Sequence, residues 1–447
     1  MSLINSSLNI INWLVLATDT TADGKRVKER YRMNTNDWKV YYRPDCNIET
    51  AYAFLKMWEY SKDDTYLQLS RDIYDSIIKL RYGNGSFPFS HTGDLTVYTN
   101  DNSEIPIFLT RMAEIDLERK DMYIQSALIS TNYIITKQNS DGSWGETLGN
   151  ATGYPFFSAQ AISALSTLYP HTSNKSGYKT AIEKGLDWIG TNILSDGRIK
   201  ICNEIKQGVE WWRPPTSDQS IVIRGFAHAE FYVKDSTKSY EWKNNRIKLL
   251  NWLNKCIDSN SGALTNGLGT GVNGADVNYI TDHVYTTAFG IEAYLYSYYV
   301  DKNKDYLLKA NGIVNFANNN LYYSSVPEAN GILRGAYNLR DKNWNTSSVS
   351  QNSGEEGGGN MIYSGWTNAP IVGLFFIFNG LMGKYQLKIK TKTNTIEIPI
   401  LDNSNGAFKI IVNNSVYSIP LVNIYDENAS PIRICVAPNT IKALKKI

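Results

Sequence analysis

The sequence predicts a mainly α-helical fold, an (α/α)6 toroid of six helical hairpins followed by a small all-β module. First, twelve helical segments of two kinds, amphipathic and largely apolar, alternate along the chain. Second, the links between them alternate between short and long, and several long links open with a turn signal such as Asp141-Gly142. Third, the hydrophobic period changes to two after Gly383. We therefore expect two domains, residues 1–383 and 384–447.

The helical segments fall into an outer set and an inner set. Amphipathic segments carry charge between apolar residues at helical spacing, which is typical of helices with one solvated face. Segments that are apolar on most faces and rich in small residues belong inside. The predicted outer helices lie near 4–17, 64–82, 120–138, 177–194, 236–256 and 303–321. The predicted inner helices lie near 47–61, 103–118, 156–169, 218–233, 282–299 and 366–382.

The C-terminal residues read as short strands. Tyr385–Lys390 and Thr395–Ile400 alternate apolar and polar side chains, the pattern of half-buried strands. Similar runs follow at 408–412, 416–422 and 431–436. These runs predict the all-β module of residues 384–447.

Charge and composition restrict the function classes. The 447-residue chain carries 45 Lys and Arg against 43 Asp and Glu, so no global basic field favours a nucleic-acid partner. The stretch Ile10–Ala17 lacks the features of a secretory signal, and the longest apolar run, Ile371–Met382, is too short to span a bilayer. The 4 histidines and 4 cysteines show no ligand spacing, so we expect no metal and no cofactor.

The mouth of the predicted toroid is where function is expected. The long loops and the N-terminal ends of the inner helices meet there, and each junction carries aromatic or charged residues. Aromatic faces stack on sugar rings, while paired carboxyl groups divide acid and base or nucleophile roles. The catalytic candidates are Asp45, Asp101, Asp218, Asp282, His283 and Tyr285. The substrate-binding candidates are Tyr42, Arg43, Trp144, Tyr154, Trp211, Trp212, Arg213, Arg224, Tyr363 and Trp366.

Simpler interpretations of these residues stay open. Asp101, Asp218 and Asp282 stand at predicted helix starts, where a carboxylate caps free amides. Trp144, directly after the Asp-Gly turn, is equally consistent with packing of the repeat. The chemistry is open too, because two carboxyls indicate hydrolysis, while Tyr285 beside an arginine such as Arg224 favours β-elimination next to a uronic carboxylate.

Two segments resemble known toroid proteins. Lys137–Gly145, with the letters KQNSDGSWG, resembles the Q-x-x-DGSW element of terpene cyclases, prenyltransferase β subunits, unsaturated glucuronyl hydrolases and alginate- or hyaluronate-type lyases. Tyr42–Tyr52, with the letters YRPDCNIETAY, resembles the first inner helix of glycan-processing toroids. The cyclase acid motifs DxDD and DDxxD do not occur in the sequence. The resemblance therefore implies a carbohydrate-active protein.

The C-terminal segment Asn428–Leu444 is similar to short modules of tail-associated proteins in phages of Gram-positive bacteria. That resemblance implies a virion tail component that contacts other tail proteins through residues 384–447, and outside a phage the expected location is the cytoplasm. The resulting hypothesis is a hydrolase or lyase acting on a bacterial cell-surface polysaccharide or cell-wall glycan. The alternative is a non-catalytic receptor-binding tail protein that holds glycan in the same cleft.

Overall fold

Six helical hairpins follow one another along the first 383 residues, as a computed structural model of the chain shows. It describes residues 2–206, 214–234, 236–269, 277–347, 353–354 and 357–383, together with six strands between 386 and 443. The hairpins are α1 Leu3–Leu16 with α2 Pro44–Ser61, α3 Asp64–Ile77 with α4 Thr99–Ile115, α5 Lys120–Thr136 with α6 Pro155–Leu168, α7 Lys175–Gly190 with α9 Pro215–Tyr232, α10 Ser239–Leu253 with α11 Thr287–Asp301, and α12 Lys304–Asn319 with α13 Ala369–Phe378; α8 is the single turn Cys202–Ile205.

The even-numbered helices up to α6, together with α9, α11 and α13, form an inner ring. Every residue of α6 is buried, whereas α3 buries only one face. Neighbouring inner helices pack closely, since a Cβ added at Gly225 of α9 would lie 3.2 Å from the Cβ of Ala159 of α6. The predicted (α/α)6 toroid is therefore confirmed, with outer and inner helices in the predicted order.

Two of the links from inner to outer helices share one design. Lys62 ends α2 in the left-handed conformation, and the side chain of Asp63 then accepts the amide of Thr65 to cap α3. Lys302 and Asn303 repeat this arrangement between α11 and α12. These two-residue reversals lie at the C-terminal ends of α2 and α11. The long loops therefore lie at the N-terminal ends of these inner helices.

The long links begin with the predicted glycine turns. In the third hairpin Gly142 has a φ of +98°, and a Cβ there would lie 2.5 Å from the carbonyl oxygen of Lys184. The turn directs Trp144 into the core, where it is fully buried and its Nε1 donates to the carbonyl of Ile134 at 2.9 Å. Trp144 therefore packs the repeat and does not bind substrate, which corrects the sequence-based expectation.

Short strands tie the long links together around the mouth. They are β1 Thr18–Thr21, β2 Gly24–Val27, β3 Arg30–Arg32, β4 Asp37–Lys39, β5 Ile280–Asp282, β6 Ala336–Asn338 and β7 Met361–Tyr363. β3 pairs antiparallel with both β4 and β7, with Tyr31 opposite Trp38 and Ile362. This sheet joins the link of the first hairpin to the link of the last one. It therefore fixes the residues that follow β7 against the start of α2.

Two predicted helix ends differ from the structure. The inner helix predicted near 282–299 starts only at Thr287, because Ile280–Asp282 form β5, which pairs with β6 some 56 residues later. The last inner helix starts at Ala369, because residues 364–368 form a wide turn in which Trp366 has a φ of +57°. Both differences arise from contacts with distant parts of the chain.

The chain divides into two compact units, Met1–Phe375 and Phe376–Ile447. In the second unit the strands form three antiparallel hairpins, β8 Gln386–Lys390 with β9 Thr395–Pro399, β10 Ala407–Val412 with β11 Ser415–Pro420, and β12 Ile434–Ala437 with β13 Thr440–Ala443. These strands coincide with the predicted all-β module. Among the described residues, no helix is both long enough and apolar enough to cross a membrane.

Candidate functional site

A pocket of about 260 Å³ opens where the N-terminal ends of α2, α4 and α6 meet the loops that precede α11 and α13. Its walls are rich in aromatic rings, and four polar side chains face it. The aromatic lining residues are Phe89, Tyr98, Phe157, Tyr285, Tyr363 and Trp366. The polar ones are Arg43, Asn100, Asp101 and Glu146. Flat apolar faces beside a few polar groups are the composition of a site for a small polar ring.

Arg43, directly before α2, binds three carboxyl groups from three parts of the chain. Its Nε and Nη2 donate to Asp45 at 3.2 and 2.7 Å, Nη2 also donates to Asp101 Oδ1 at 3.1 Å, and Nη1 donates to Glu29 Oε1 at 3.3 Å. Arg30 approaches the other oxygen of Glu29 at 3.7 Å. We call Glu29, Arg43, Asp45 and Asp101 the mouth cluster. It holds more carboxyl groups than cations, so one carboxyl is favoured in its neutral form.

Asp101 is the carboxyl of the mouth cluster that faces the pocket. Its Oδ1 accepts from Arg43 and from the side chain of Asn100 at 2.7 Å, whereas its buried Oδ2 has no hydrogen-bond partner among the described residues. Burial raises the pKa of Asp101 well above its usual range; Arg43 lowers it in part, and the nearby Asp45 and Glu29 raise it further. Burial, the neighbouring carboxyls and a hydrogen bond with the Asp45 side chain therefore favour the neutral form of Asp101 at the pocket wall.

Asp45 lies beneath the pocket wall rather than in it. Its Oδ2 accepts both from Arg43 and from the indole Nε1 of Trp366 at 2.5 Å, and its side chain is fully buried. With its oxygens engaged in this way, Asp45 orients Arg43 and Trp366 and does not line the pocket. The sequence expectation of a catalytic Asp45 is replaced by a positioning contact.

Glu146 is a second carboxyl group in the pocket. It is half-buried and follows the buried Trp144 of the third hairpin. Its carbonyl accepts the amide of Thr99 at 2.8 Å, and the backbone of Tyr98 bridges to Thr147. These backbone contacts hold Glu146 beside the start of α4, the helix that carries Asp101. The pocket thus has two carboxyl groups on adjoining segments.

A different arginine–carboxylate network lies deeper along the axis of the inner ring. Arg224 of α9 donates to Glu104 of α4, to Gln160 of α6 and, at 2.7 Å, to Glu292 of α11. Arg111 binds the second oxygen of Glu292 at 2.6 Å. Burial raises the pKa of Glu292, but Arg111 and Arg224 outweigh that effect and lower it to about 2. We call these five residues the axial network; two guanidinium groups in it balance two carboxylates.

Asp282 and His283 are buried beside the pocket wall and do not line the pocket. The carboxylate of Asp282 accepts the amide of Tyr285 and so caps the turn before α11, while burial raises its pKa to about 8. His283 Nε2 accepts from Asn320 at 2.9 Å, its Nδ1 contacts Thr287 Oγ1 at 3.0 Å, and burial lowers its pKa to about 3. Both side chains have structural contacts and lie outside the pocket lining, so a catalytic role for either stays a prediction.

The structure sorts the remaining candidates as well. The pocket brings together Arg43, Asp101, Tyr285, Tyr363 and Trp366. Tyr42 donates to Asp19 at 2.9 Å outside the pocket, Tyr154 packs on Phe157 behind the wall, and Asp218 is buried in the first turn of α9. Arg224 belongs to the axial network and does not line the pocket in which substrate binding was expected. Trp211, Trp212 and Arg213 lie outside the described residues.

Six contributors were not among the candidates selected from the sequence, and one of them is Tyr98, directly before α4. Glu146, in the letters DGSWGE, could have been found, because it directly follows the turn that begins a long link. Phe89 and Phe157 give no signal that separates them from core aromatics, and Asn100 gives none that separates it from a cap. Glu29 reaches the mouth cluster through the pairing of β3 with β7, which no local pattern reveals.

No protein-family profile matches the sequence, and no curated protein sequence matches it. The solved structures do give matches. A sugar epimerase from a ruminal bacterium is 10% identical with a TM-score of 0.62, covering 85% of this chain and 99% of that one. A family 76 glycoside hydrolase from a bovine Bacteroides thetaiotaomicron strain is 13% identical with a TM-score of 0.59, covering 85% and 78%.

A third similar structure is an inactive variant of an α-1,6-mannanase from Salegentibacter, with two consecutive aspartates replaced, in complex with α-1,6-mannotriose. It is 13% identical to this chain with a TM-score of 0.53, covering 84% of this chain and 98% of that one. At such identities these matches show a shared fold, and the match to three different toroid proteins agrees with the six hairpins described above.

Proposed function

We propose that this protein is a carbohydrate-active enzyme, a glycoside hydrolase that binds a polysaccharide in the mouth pocket. The observation that carries the proposal is Asp101, a buried carboxyl whose pKa is raised well above its usual range, in an aromatic pocket that also holds Glu146. Glycoside hydrolysis requires a protonated carboxyl as acid and a second carboxyl as base or nucleophile. The fold shared with a glycoside hydrolase and with sugar epimerases supports the same class.

In the proposed mechanism Asp101 donates its proton to the glycosidic oxygen of the leaving sugar. Glu146 supplies the second function in one of two ways. It takes a proton from a water that attacks the anomeric carbon as the glycosidic bond breaks, or it attacks that carbon itself, and the deprotonated Asp101 then activates the water that releases the sugar from Glu146. The aromatic walls, including Trp366 and Tyr285, stack against the sugar ring. Burial above all, together with the nearby Asp45 and Glu29, raises the pKa of Asp101 and so favours the protonated acid, while Arg43 orients its Oδ1.

The positions of the arginines favour hydrolysis over β-elimination. Elimination next to a uronic carboxylate needs a cation that neutralises that carboxylate. Arg224 is fully buried in the axial network. Arg43, the one arginine among the described residues that line the pocket, already donates to three carboxyl groups. The pocket therefore suits a neutral sugar better than a uronate.

The proposed acids differ from those implied by the mannanase neighbour. That protein is inactive when two consecutive aspartates are replaced. The consecutive aspartates of this chain are Asp63 and Asp64, which begin α3 after α2 has ended. The pocket lies at the other end of α2, about 27 Å away for an 18-residue helix. If this chain hydrolyses glycosides, it does so with carboxyls from separate hairpins.

We further propose that the substrate is a bacterial cell-surface polysaccharide or cell-wall glycan and that the protein acts as part of a phage tail, where residues 384–447 contact other tail proteins. The support is the similarity of Asn428–Leu444 to tail-associated modules. Sedimentation of particles from an induced lysate tests this proposal. Recovery of the chain in tail-containing fractions supports it, and recovery only in the soluble fraction contradicts it.

The activity is tested on α-1,6-mannan and on purified wall and capsular polysaccharides of Gram-positive bacteria, with Asp101→Asn as the matched control. New reducing ends without ultraviolet absorbance of an unsaturated sugar are expected for the wild type, and their release should be about 10²–10⁴-fold slower for the variant. Reducing ends together with that absorbance would indicate a lyase. Binding without any product would favour the non-catalytic receptor-binding alternative, and a changed sugar configuration without cleavage would indicate epimerisation.

A further inference from the structure

Trp366 has an unusual backbone conformation for a buried aromatic residue. Its φ of +57° lies in the left-handed region, which non-glycine residues rarely adopt and which is strained for a bulky side chain. The other described non-glycine residues with positive φ are exposed turn or helix-end positions: Asn36, Lys62, Lys302 and Lys342. Trp366 alone among them is buried, so the surrounding contacts must hold it in place.

Two carboxyl groups of α2 hold Trp366 from opposite ends. The backbone amide of Trp366 donates to Glu49 Oε2 at 2.5 Å, and its indole Nε1 donates to Asp45 Oδ2 at 2.5 Å. Asp45 and Glu49 are four residues apart, so both side chains lie on one face of the helix. The preceding Gly365 packs directly on the helix, since a Cβ there would lie 2.5 Å from Cys46. The last hairpin is therefore attached to the first at this residue.

The held ring forms part of the pocket wall. Its centre is 5.6 Å from that of Phe289 and 6.5 Å from that of Tyr285, both in edge-to-face contact. Arg43 lies 5.9 Å from the ring centre. Asp45 binds Arg43 and the indole at once, so the wall and the proton donor Asp101 share one supporting residue.

We propose that Glu49 is a positioning residue that, together with Asp45, holds Trp366 in its left-handed conformation so that the indole presents a fixed stacking surface to the sugar. The sugar in this role rests on the proposed function. The contacts of Asp45 and Glu49 with Trp366, which we call the clamp, rest on the geometry of the structure alone. Glu49 is buried beneath the wall and does not line the pocket, so it acts through Trp366. A buried residue in the left-handed conformation needs contacts that hold its backbone, and the Glu49 carboxyl provides one by accepting the Trp366 amide.

The experiment compares Glu49→Ala with Glu49→Gln. The glutamine keeps an oxygen that accepts the Trp366 amide, whereas alanine removes the acceptor. We expect Glu49→Ala to raise KM about tenfold with a smaller change in kcat, since a lost aromatic contact is worth about 1.4 kcal/mol. Glu49→Gln should restore KM to within about threefold of the wild type. The control is Thr50→Ala, because Thr50 is buried on the same helix but bonds only to the carbonyl of Cys46.

A second readout does not depend on catalysis. The protein is labelled with fluorotryptophan, and the fluorine resonance of residue 366 is assigned by its loss in Trp366→Phe. The resonance should move or broaden in Glu49→Ala and stay near its wild-type position in Glu49→Gln and Thr50→Ala. An unchanged resonance in Glu49→Ala overturns the clamp, whatever the activity is. A changed resonance in a protein that binds no glycan keeps the clamp and rejects only the proposed substrate.

Discussion

The mouth cluster and the axial network are built from the same residue types and behave differently because of their charge balance. In the axial network Arg224 and Arg111 meet Glu104 and Glu292, so every carboxylate has a guanidinium partner. In the mouth cluster three carboxyls share Arg43, and Arg30 only approaches one of them. A balanced network is neutral and stabilises the ring. A surplus of carboxyls raises the pKa of Asp101, which favours the protonated form that a general acid needs.

The largest expected effect is the loss of activity in Asp101→Asn. A general acid contributes about 10²–10⁴-fold to the rate, so kcat should fall by that factor. The melting temperature should stay the same or rise, because the neutral amide avoids the cost of a buried carboxyl whose Oδ2 has no partner among the described residues. Reducing-end kinetics and calorimetry on the same preparation measure both. Retained turnover would remove Asp101 from the mechanism.

The matching change in the axial network should affect stability instead. In Arg224→Met the buried Glu104 has no cation and Glu292 keeps only Arg111. We expect this change to lower the free energy of unfolding by roughly 3–5 kcal/mol. Urea denaturation measures the loss, and the double variant with Glu104→Gln should recover part of it. If Arg224→Met left stability unchanged but abolished turnover, the axial network would belong to the catalytic site and the comparison would be wrong.

The sequence predicted the toroid better than it predicted the site, for a physical reason. Alternating outer and inner helices and their glycine turns follow from local periodicity, which the chain displays directly. Arg224 was assigned to substrate although it stands nine residues after the start of α9, about 14 Å below the mouth. Counting that depth would have separated it from Arg43. The partners of Glu29 and Trp366 depend instead on the pairing of β3 with β7, which joins residues more than 300 apart.

The pH dependence of stability and of activity should differ between the wild type and Asp101→Asn. Asp101 has a raised pKa in the folded protein, so between the unfolded value of about 3.8 and the folded value the native state binds the proton more tightly. The stability that it contributes is complete below the unfolded pKa and is lost as the pH rises through the folded one. Activity should fall over the same alkaline limb, because the acid loses its proton. In Asp101→Asn neither the stability nor the residual rate should show this fall with rising pH. A limb that persists in the variant would belong to another group.

The smallest expected effect is that of Asp282→Asn, at a buried carboxyl that caps a turn outside the mouth cluster. Asparagine keeps one acceptor for the amide of Tyr285, so below pH 6 we expect a loss of about 1 kcal/mol or less and unchanged turnover. Burial raises the pKa of Asp282 to about 8, so its contribution is complete below the unfolded pKa and disappears as the pH rises through about 8. The stability difference between wild type and variant, measured by urea denaturation from pH 5 to 9, should therefore shrink with rising pH. A large loss of turnover with intact stability would instead place Asp282 among the reacting groups, and would show that a raised pKa outside the mouth cluster also marks chemistry.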